Sequence, residues 1–154
     1  MQTAILVNPG MIHIDKATTD HIDDIVKIEQ ACFSTPWSAQ SIADSIADAN
    51  THILVALVDG VVAGYMGLQI FSGEGYVTNV AVLPEFRGQG VAKALINAQL
   101  QNDMEFITLE VRQSNIPAIN LYQSFGFEPV GKRPKFYSHP TEDALLLTKY
   151  FIKG

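Results

Sequence analysis

The sequence predicts one α/β domain built on a mixed, mostly antiparallel sheet flanked by helices, with one parallel strand pair. Three observations carry that reading. Two strand-like runs meet at Asp59-Gly60, the strongest short hairpin signal, and a third run follows within a few residues. A glycine-rich turn, Arg87-Gly88-Gln89-Gly90, then opens an apolar helical stretch that leads into another strand. A strand–helix–strand crossover implies parallel pairing. A capped helix and a final strand pair close the chain.

Each element has its own signal. Met11 to Lys16 alternates apolar and polar, as a half-buried strand does. Thr19 or Asp20 caps a helix in which Ile22, Ile25, Val26, Glu29, Cys32 and Phe33 recur at helical spacing behind an acidic first turn. Phe33-Ser34-Thr35-Pro36-Trp37-Ser38 breaks it and re-caps a second helix with Ile42, Ile46 and Ala49 on one side. His52–Val58, Val61–Phe71 and, after a turn at Ser72–Gly75, Tyr76–Val82 form an antiparallel meander. Val91, Ala94, Leu95, Ala98 and Leu100 mark the next helix, and Phe106–Val111 the next strand. Asn115 caps a further helix, with Pro117 in its first turn and Gly126 just past its end. Phe127–Tyr137 and Ala144–Phe151 pair as a terminal hairpin. No repeat or linker interrupts this order. Residues 1–10 read as a leader ahead of a single domain over residues 11–154.

Composition narrows the function. With 154 residues, 47% hydrophobic and 17% charged, the chain builds a core without a disulfide or metal staple. Its net charge is -6 and its only arginines are Arg87, Arg112 and Arg133. Nucleic-acid binding needs clustered cations, so this balance argues against it and favours a cationic substrate. Cys32 is the single cysteine, which rules out an intrachain disulfide and fits a reducing, cytoplasmic compartment. No apolar run approaches the ~18 residues of a membrane span. His13, His21, His52 and His139 are scattered, with no i, i+4 pair and no cysteine beside them, so no metal site is expected.

The Arg87–Lys93 segment is the first candidate site. Two glycines let backbone approach a ligand closely. A loop that opens a helix points unpaired N–H groups outward, where an anion is stabilised by the amides and the helix dipole. Arg87 and Lys93 bracket the turn with positive charge. A tight turn with no ligand fits the same pattern. Gly88-x-Gly90 begins like a dinucleotide fingerprint, and Glu110 stands where a ribose-binding acid would. Lys93 replaces the third glycine, however, and the strands before it are antiparallel. No Gly-Lys-Ser/Thr ends the turn, so a P-loop is excluded. A diphosphate carried by another ligand fits better.

These segments resemble one family. Arg87-Gly88-Gln89-Gly90-Val91-Ala92 is similar to the R/Q-x-x-G-x-G/A acyl-coenzyme-A loop of the GNAT acetyltransferase superfamily. Asn79-Val80-Ala81-Val82-Leu83-Pro84 looks like the strand before that loop. Leu109-Glu110-Val111-Arg112-x-Ser114-Asn115 and Ala118-x-x-Leu121-Tyr122-x-x-x-Gly126-Phe127 look like the strand and helix after it. Together with Phe33-x-x-Pro36-Trp37-Ser38, they resemble the RimI-type ribosomal-protein-alanine N-acetyltransferases over roughly Ile12 to Leu147.

The resemblance implies a GNAT-like fold whose central parallel strands splay apart, acetyl-CoA as co-substrate, and direct transfer to a primary amine. It implies that backbone of Val80, Ala81 and Val82 pairs with the pantetheine arm and polarises the thioester. Gly88, Gln89, Gly90, Val91, Ala92 and Lys93, with Arg87, would hold the pyrophosphate, and Asn115 the cofactor's amide region. Glu110 would be the general base and Tyr122 the general acid for the departing thiolate. From the residues alone, Glu110 also reads as a strand-end carboxylate paired with Arg112 or a lysine. Tyr122 also reads as part of a core stripe with Ala118, Leu121 and Phe125. Trp37 and Tyr137 are candidates for the acceptor mouth.

Freeing an α-amine (pKa ~8) at pH 7 costs roughly 1.4 kcal/mol, against roughly 4.6 for lysine. The expected acceptor is therefore a protein N-terminus, and the resemblance implies the N-terminal alanine of a small-subunit ribosomal protein. A polyamine or amino sugar, or a non-catalytic acyl-coenzyme-A-binding module, are the alternatives. Asp20, Asp23, Asp24 and Glu29 either steer a cationic acceptor or form a solvated helix face. Lys132, Arg133 and Lys135 read as a solvated strand edge.

Overall fold

The computed structural model describes residues 11–151, so the predicted leader lies outside the described residues. The strands are β1 (Ile12–Lys16), β2 (Thr51–Val58), β3 (Val61–Phe71), β4 (Glu74–Val82), β5 (Phe106–Arg112), β6 (Glu128–Tyr137) and β7 (Glu142–Tyr150). The helices are α1 (Ile22–Cys32), α2 (Ala39–Ala47), α3 (Val91–Gln99) and α4 (Ile116–Ser124). Among the described residues the hydrogen-bonded order is β1-β2-β3-β4-β5-β7-β6. The β4–β5 pair is parallel, and β1–β2, β5–β7 and β6–β7 are antiparallel, giving the mixed sheet the sequence predicts. The described chain forms two compact units: residues 11–68 with 79–102, and residues 69–78 with 103–151.

In the first unit, β2 and β3 turn at Asp59 (φ 50°) and Gly60 (φ 82°), both left-handed, as a tight two-residue hairpin requires. Val62 through Leu68 are all buried, so β3 is covered on both faces. Ile25, Ile28 and Ile42 from α1 and α2 pack with Ile53, Val55 and Tyr65. Val91, Leu95 and Ile96 of α3 are also buried. Gly64 permits the close approach: a Cβ there would stand 2.8 Å from the Ala81 carbonyl and 3.1 Å from Val91 Cγ1. Thr18, not Thr19 or Asp20, caps the short helical turn Thr19–His21 that leads into α1: its hydroxyl accepts from the Asp20 N–H at 3.3 Å, and its own N–H donates to His21 Nδ1 at 2.9 Å. Ala49 falls outside α2, which ends where Asp48 turns extended.

In the second unit, Ser72 (φ 50°) and Gly73 (φ 81°) make the β3–β4 turn. Glu74 and Gly75 therefore belong to β4, two residues earlier than the sequence predicts. The parallel ladder joins Glu74–Tyr76 to Phe106–Thr108. Asn115 caps α4 as expected, its side chain accepting from Ala118 N–H at 3.2 Å. Ile119 and Tyr122 are the buried residues of that helix; Ala118, Leu121 and Phe125 are half-buried.

Candidate active site

β5 alternates strictly. Ile107, Leu109 and Val111 face the core, 0–6% exposed, and Phe106, Thr108, Glu110 and Arg112 line the opposite face. A period of two puts Glu110 on the non-core face, yet its side chain is only 7% exposed. Neighbouring strands cover it. Tyr76, in register with Thr108, donates its hydroxyl to Glu110 Oε1. Arg133 Nε lies 3.0 Å from Glu110 Oε2.

The Arg133 contact corrects two expectations: Arg133 is not merely a solvated edge residue, and Glu110 is paired with neither Arg112 nor a lysine. The register explains why. Glu110 stands opposite Leu146 of β7, and Leu146 opposite Gly131 of β6. Arg133, two residues beyond Gly131 and opposite the small Ala144, reaches the carboxylate across β7. Nothing in the local sequence around Tyr76 or Arg133 marks either as a partner of Glu110. The signal lies in strand register.

Arg112 serves another purpose. It donates to the Pro140 carbonyl at 3.0 Å, the Ser138 carbonyl at 3.1 Å and Glu142 Oε1 at 3.2 Å. Its guanidinium lies 4.5 Å from the Tyr137 ring centre. Glu142 Oε2 accepts the Ser114 amide at 2.6 Å. That bond, with Arg112 beside it, holds the Glu142 carboxyl below the usual range.

Three tyrosines surround this face. Tyr137 is half-buried and packs edge-on against Phe136, 5.0 Å between centres. Burial, then the negative Glu110, pushes its hydroxyl up to about 12. Burial, then the bond to Glu110, pushes Tyr76 up to about 12. Tyr122 is 6% exposed, edge-on to Phe127 at 5.4 Å, and burial pushes its hydroxyl upward, with Tyr137 adding to the rise. The second unit thus gathers Glu110, Tyr122 and Tyr137, all singled out from sequence, and adds Tyr76 and Arg133. Asn115 stands at the start of α4.

The first unit holds the glycine-rich turn. Gly88 (φ 78°) and Gly90 (φ 86°) are left-handed, a conformation other residues rarely adopt. Gly90 begins α3 without a side-chain cap, and the first helical bond runs from Ala94 N–H to the Gly90 carbonyl at 3.0 Å. The amides of Val91, Ala92 and Lys93 precede that bond and carry the positive end of the helix dipole. A Cβ at Gly88 would meet nothing within 4 Å, so the turn is open to a ligand. Such a cradle suits a diphosphate. Lys93 and Gln89 are exposed, and Gln89 Nε2 donates to the Glu85 carbonyl at 3.3 Å.

Arg87 bends back toward β4. Its Nε donates to the Val82 carbonyl at 3.1 Å and its Nη2 to Cys32 Sγ at 3.5 Å, while Cys32 donates to the same carbonyl at 3.4 Å. Val82 closes the strand that also carries Val80 and Ala81. Trp37 is half-buried against the unit's core, and its amide donates to Glu29 Oε1 at 2.8 Å. Glu29 is 1% exposed, which overturns its reading as a steering or solvated acid. Two donors inside the protein satisfy it instead.

A mixed sheet flanked by helices, with a glycine turn that opens a helix and suits a diphosphate, fits the α/β acyltransferases that draw on an activated acyl thioester. The chain belongs to the Acetyltransferase (GNAT) family, whose profile matches residues 22–127. It is an acetyl-CoA-dependent N-acetyltransferase. It is 31% identical to the [ribosomal protein bS18]-alanine N-acetyltransferase of Haemophilus ducreyi, over 89% of this chain and 99% of that one. It is 33% identical to an N-alpha-acetyltransferase of Saccharolobus solfataricus, over 86% of this chain and 89% of that one. The crystal structure of the Escherichia coli ribosomal-protein-S18-alanine N-acetyltransferase superposes with a TM-score of 0.86 at 27% identity, covering 94% and 96% of the two chains.

Proposed function

We propose that this enzyme acetylates a protein N-terminus, with the N-terminal alanine of a small-subunit ribosomal protein as the favoured acceptor, by direct transfer within a ternary complex. The observation that carries this reading is the Glu110 carboxylate, 7% exposed and ringed by Tyr76, Tyr137 and Arg133. The names of the Haemophilus ducreyi and Escherichia coli relatives support the choice of acceptor. Cys32, the single cysteine, is bonded to Val82 and Arg87, which supports transfer without an acyl-enzyme on sulfur. The lone reduced cysteine also favours a cytoplasmic setting.

The residues divide the work. Gly88 and Gly90 let backbone close on the diphosphate of acetyl-CoA, and the amides of Val91, Ala92 and Lys93 hold it with Gln89 alongside. Arg87 fixes the end of β4, where Val80, Ala81 and Val82 offer backbone groups to the acyl arm. Asn115 adds its side-chain amide. Glu110 takes the proton from the attacking nitrogen, directly or through water. Tyr122 hydrogen-bonds the thiolate as the carbon–sulfur bond breaks. A phenol raised by burial keeps its proton beside the thiolate of a thiol with pKa ~8.5, so it stabilises the leaving sulfur by donating a hydrogen bond. Trp37 and Tyr137 border the acceptor.

The test is mass spectrometry of synthetic acceptors incubated with acetyl-CoA: an alanine-led ribosomal peptide, the same peptide N-terminally blocked but carrying lysine, and a polyamine. The expected product carries one acetyl group on the α-nitrogen of the first peptide. Preferential modification of the polyamine would overturn the acceptor assignment. Glu110→Gln is expected to lose about 10²–10⁴-fold in turnover with acetyl-CoA affinity kept.

A further inference from the structure

We propose that Arg133 sets which amines this enzyme accepts: by neutralising Glu110, it makes the site select amines that are readily uncharged and turn away firmly cationic ones. The inference rests on the reading of Glu110 as the base. Glu110 Oε2 holds Arg133 Nε at 3.0 Å, with the carboxylate side chain 7% exposed and the arginine side chain 57% exposed. The arginine reaches the carboxylate from β6 across β7, where the small Ala144 stands opposite Arg133. Of the other groups on this face, Tyr76 donates to Oε1 and Tyr137 adjoins it, both uncharged, while Arg112, two residues along β5, is paired with Glu142 at 3.2 Å. Both tyrosines keep their protons to about pH 12. Charge around the base therefore sums to zero.

An approaching ammonium gains little from such a pair and meets the like charge of Arg133. A neutral amine meets no such penalty, and its lone pair is free to attack. At pH 7 about one α-amine in ten is neutral, against about one lysine amine in 2,500. A bare carboxylate would recover part of that difference by attracting the cation. With Arg133 in place the difference is kept, and a protein N-terminus is favoured over lysine side chains and polyamines. The rim position of Arg133 lets it act on selectivity without contributing to the core.

The experiment compares kcat/KM for two peptides, one with a free N-terminus and no lysine, the other blocked and carrying one lysine, with spermidine as a third acceptor. Wild type, Arg133→Met and Arg133→Lys are assayed at pH 7, and each variant's acetyl-CoA affinity serves as the folding control. Arg133→Met is expected to lower the α-to-ε ratio about fivefold, the upper range for a pair with one partner in solvent. The change should come mainly from a lower KM for lysine peptide and spermidine. Arg133→Lys, which keeps the charge, is expected to hold the wild-type ratio. Where wild type gives no lysine product, its appearance with Arg133→Met supports the proposal. An unchanged or wider ratio in Arg133→Met, or continued absence of lysine product, overturns it. Glu110→Gln separates the two readings: retained turnover would remove the base assignment itself, whereas an inactive Glu110→Gln with an unmoved Arg133→Met ratio would remove only the role of Arg133.

Discussion

The carboxylate of Glu29 and the hydroxyl of Tyr65 meet at 2.5 Å inside the first unit, each residue 1% exposed. The second carboxylate oxygen takes the Trp37 amide at 2.8 Å. One buried acid thus ties α1 to β3 and to the segment that carries Trp37. Burial, then the bond to Glu29, pushes the Tyr65 hydroxyl far upward, so it stays a donor at every ordinary pH. Glu29→Ala leaves two interior donors without an acceptor and is expected to cost about 2–5 kcal/mol in denaturant unfolding. Glu29→Gln keeps an acceptor oxygen and should cost less. Equal losses for the two variants would show that the hydrogen bonds contribute little.

Gly90→Asp tests the glycine-rich turn. A residue with a Cβ at φ 86° is strained by about 1–2 kcal/mol, although the nearest atom to that Cβ, Ile12 Cδ1, is 3.9 Å away. The aspartate also sets a negative charge where the diphosphate would lie. Acetyl-CoA affinity measured by calorimetry is expected to fall at least about tenfold, with Gly90→Ala falling less. Unchanged affinity in Gly90→Asp would remove the diphosphate from this turn.

Glu142 gives an acid-side prediction. Its folded carboxyl titrates below an ordinary glutamate because the Ser114 amide and Arg112 favour the ionised form. A depressed acid contributes stability that is present above the unfolded pKa, about 4.3, and is lost as pH falls through the folded value. Wild type should therefore exceed Glu142→Gln in stability near pH 6, with the gap closing toward about pH 2. Denaturant unfolding at several pH values reads this directly. A gap independent of pH would mean that the ionised carboxylate is not what holds the turn.

Tyr76 and Tyr137 give the alkaline counterpart. Both are raised to about 12 from the ordinary tyrosine value near 10. A raised pKa contributes stability that is complete below about pH 10 and is lost as pH climbs through the folded value. Phenolate absorbance during base titration should show late-ionising tyrosines, and Tyr76→Phe or Tyr137→Phe should each remove one. If the component each substitution removes is one that ionises near pH 10, the packing described around Glu110 is contradicted.

Much of the architecture was legible because its causes are local. Asp59-Gly60 adopts the left-handed pair that a tight hairpin demands, and Asn115 caps the helix that Gly126 ends. The run Phe106–Val111 was legible as a strand, and the alternation of burial along it in the structure puts Glu110 on the non-core face. Local reading failed by a residue or two where several side chains could do one job. Thr18, Thr19 and Asp20 all suit a cap, and only the bonds to the Asp20 N–H and His21 Nδ1 select Thr18. It failed for Glu29, which shares the stripe of Ile22, Ile25 and Cys32 yet as an acid is grouped with Asp23 and Asp24, because the donors that satisfy it come from β3 and the Trp37 segment.

The sequence by itself determined the meander and the glycine turn that opens α3, whereas Glu110 and Tyr122 stand out from ordinary strand and core residues only through the family resemblance. Backbone dihedral preference and hydrophobic period act over a few residues, so they are written in the chain. Tertiary structure alone decided that Arg133 and Tyr76 close on Glu110, that Arg112 turns instead to Glu142 and the Tyr137 ring, and that Glu29 lies buried. Those contacts join residues up to dozens of positions apart. They follow from strand register and packing, which exist only once the elements have paired.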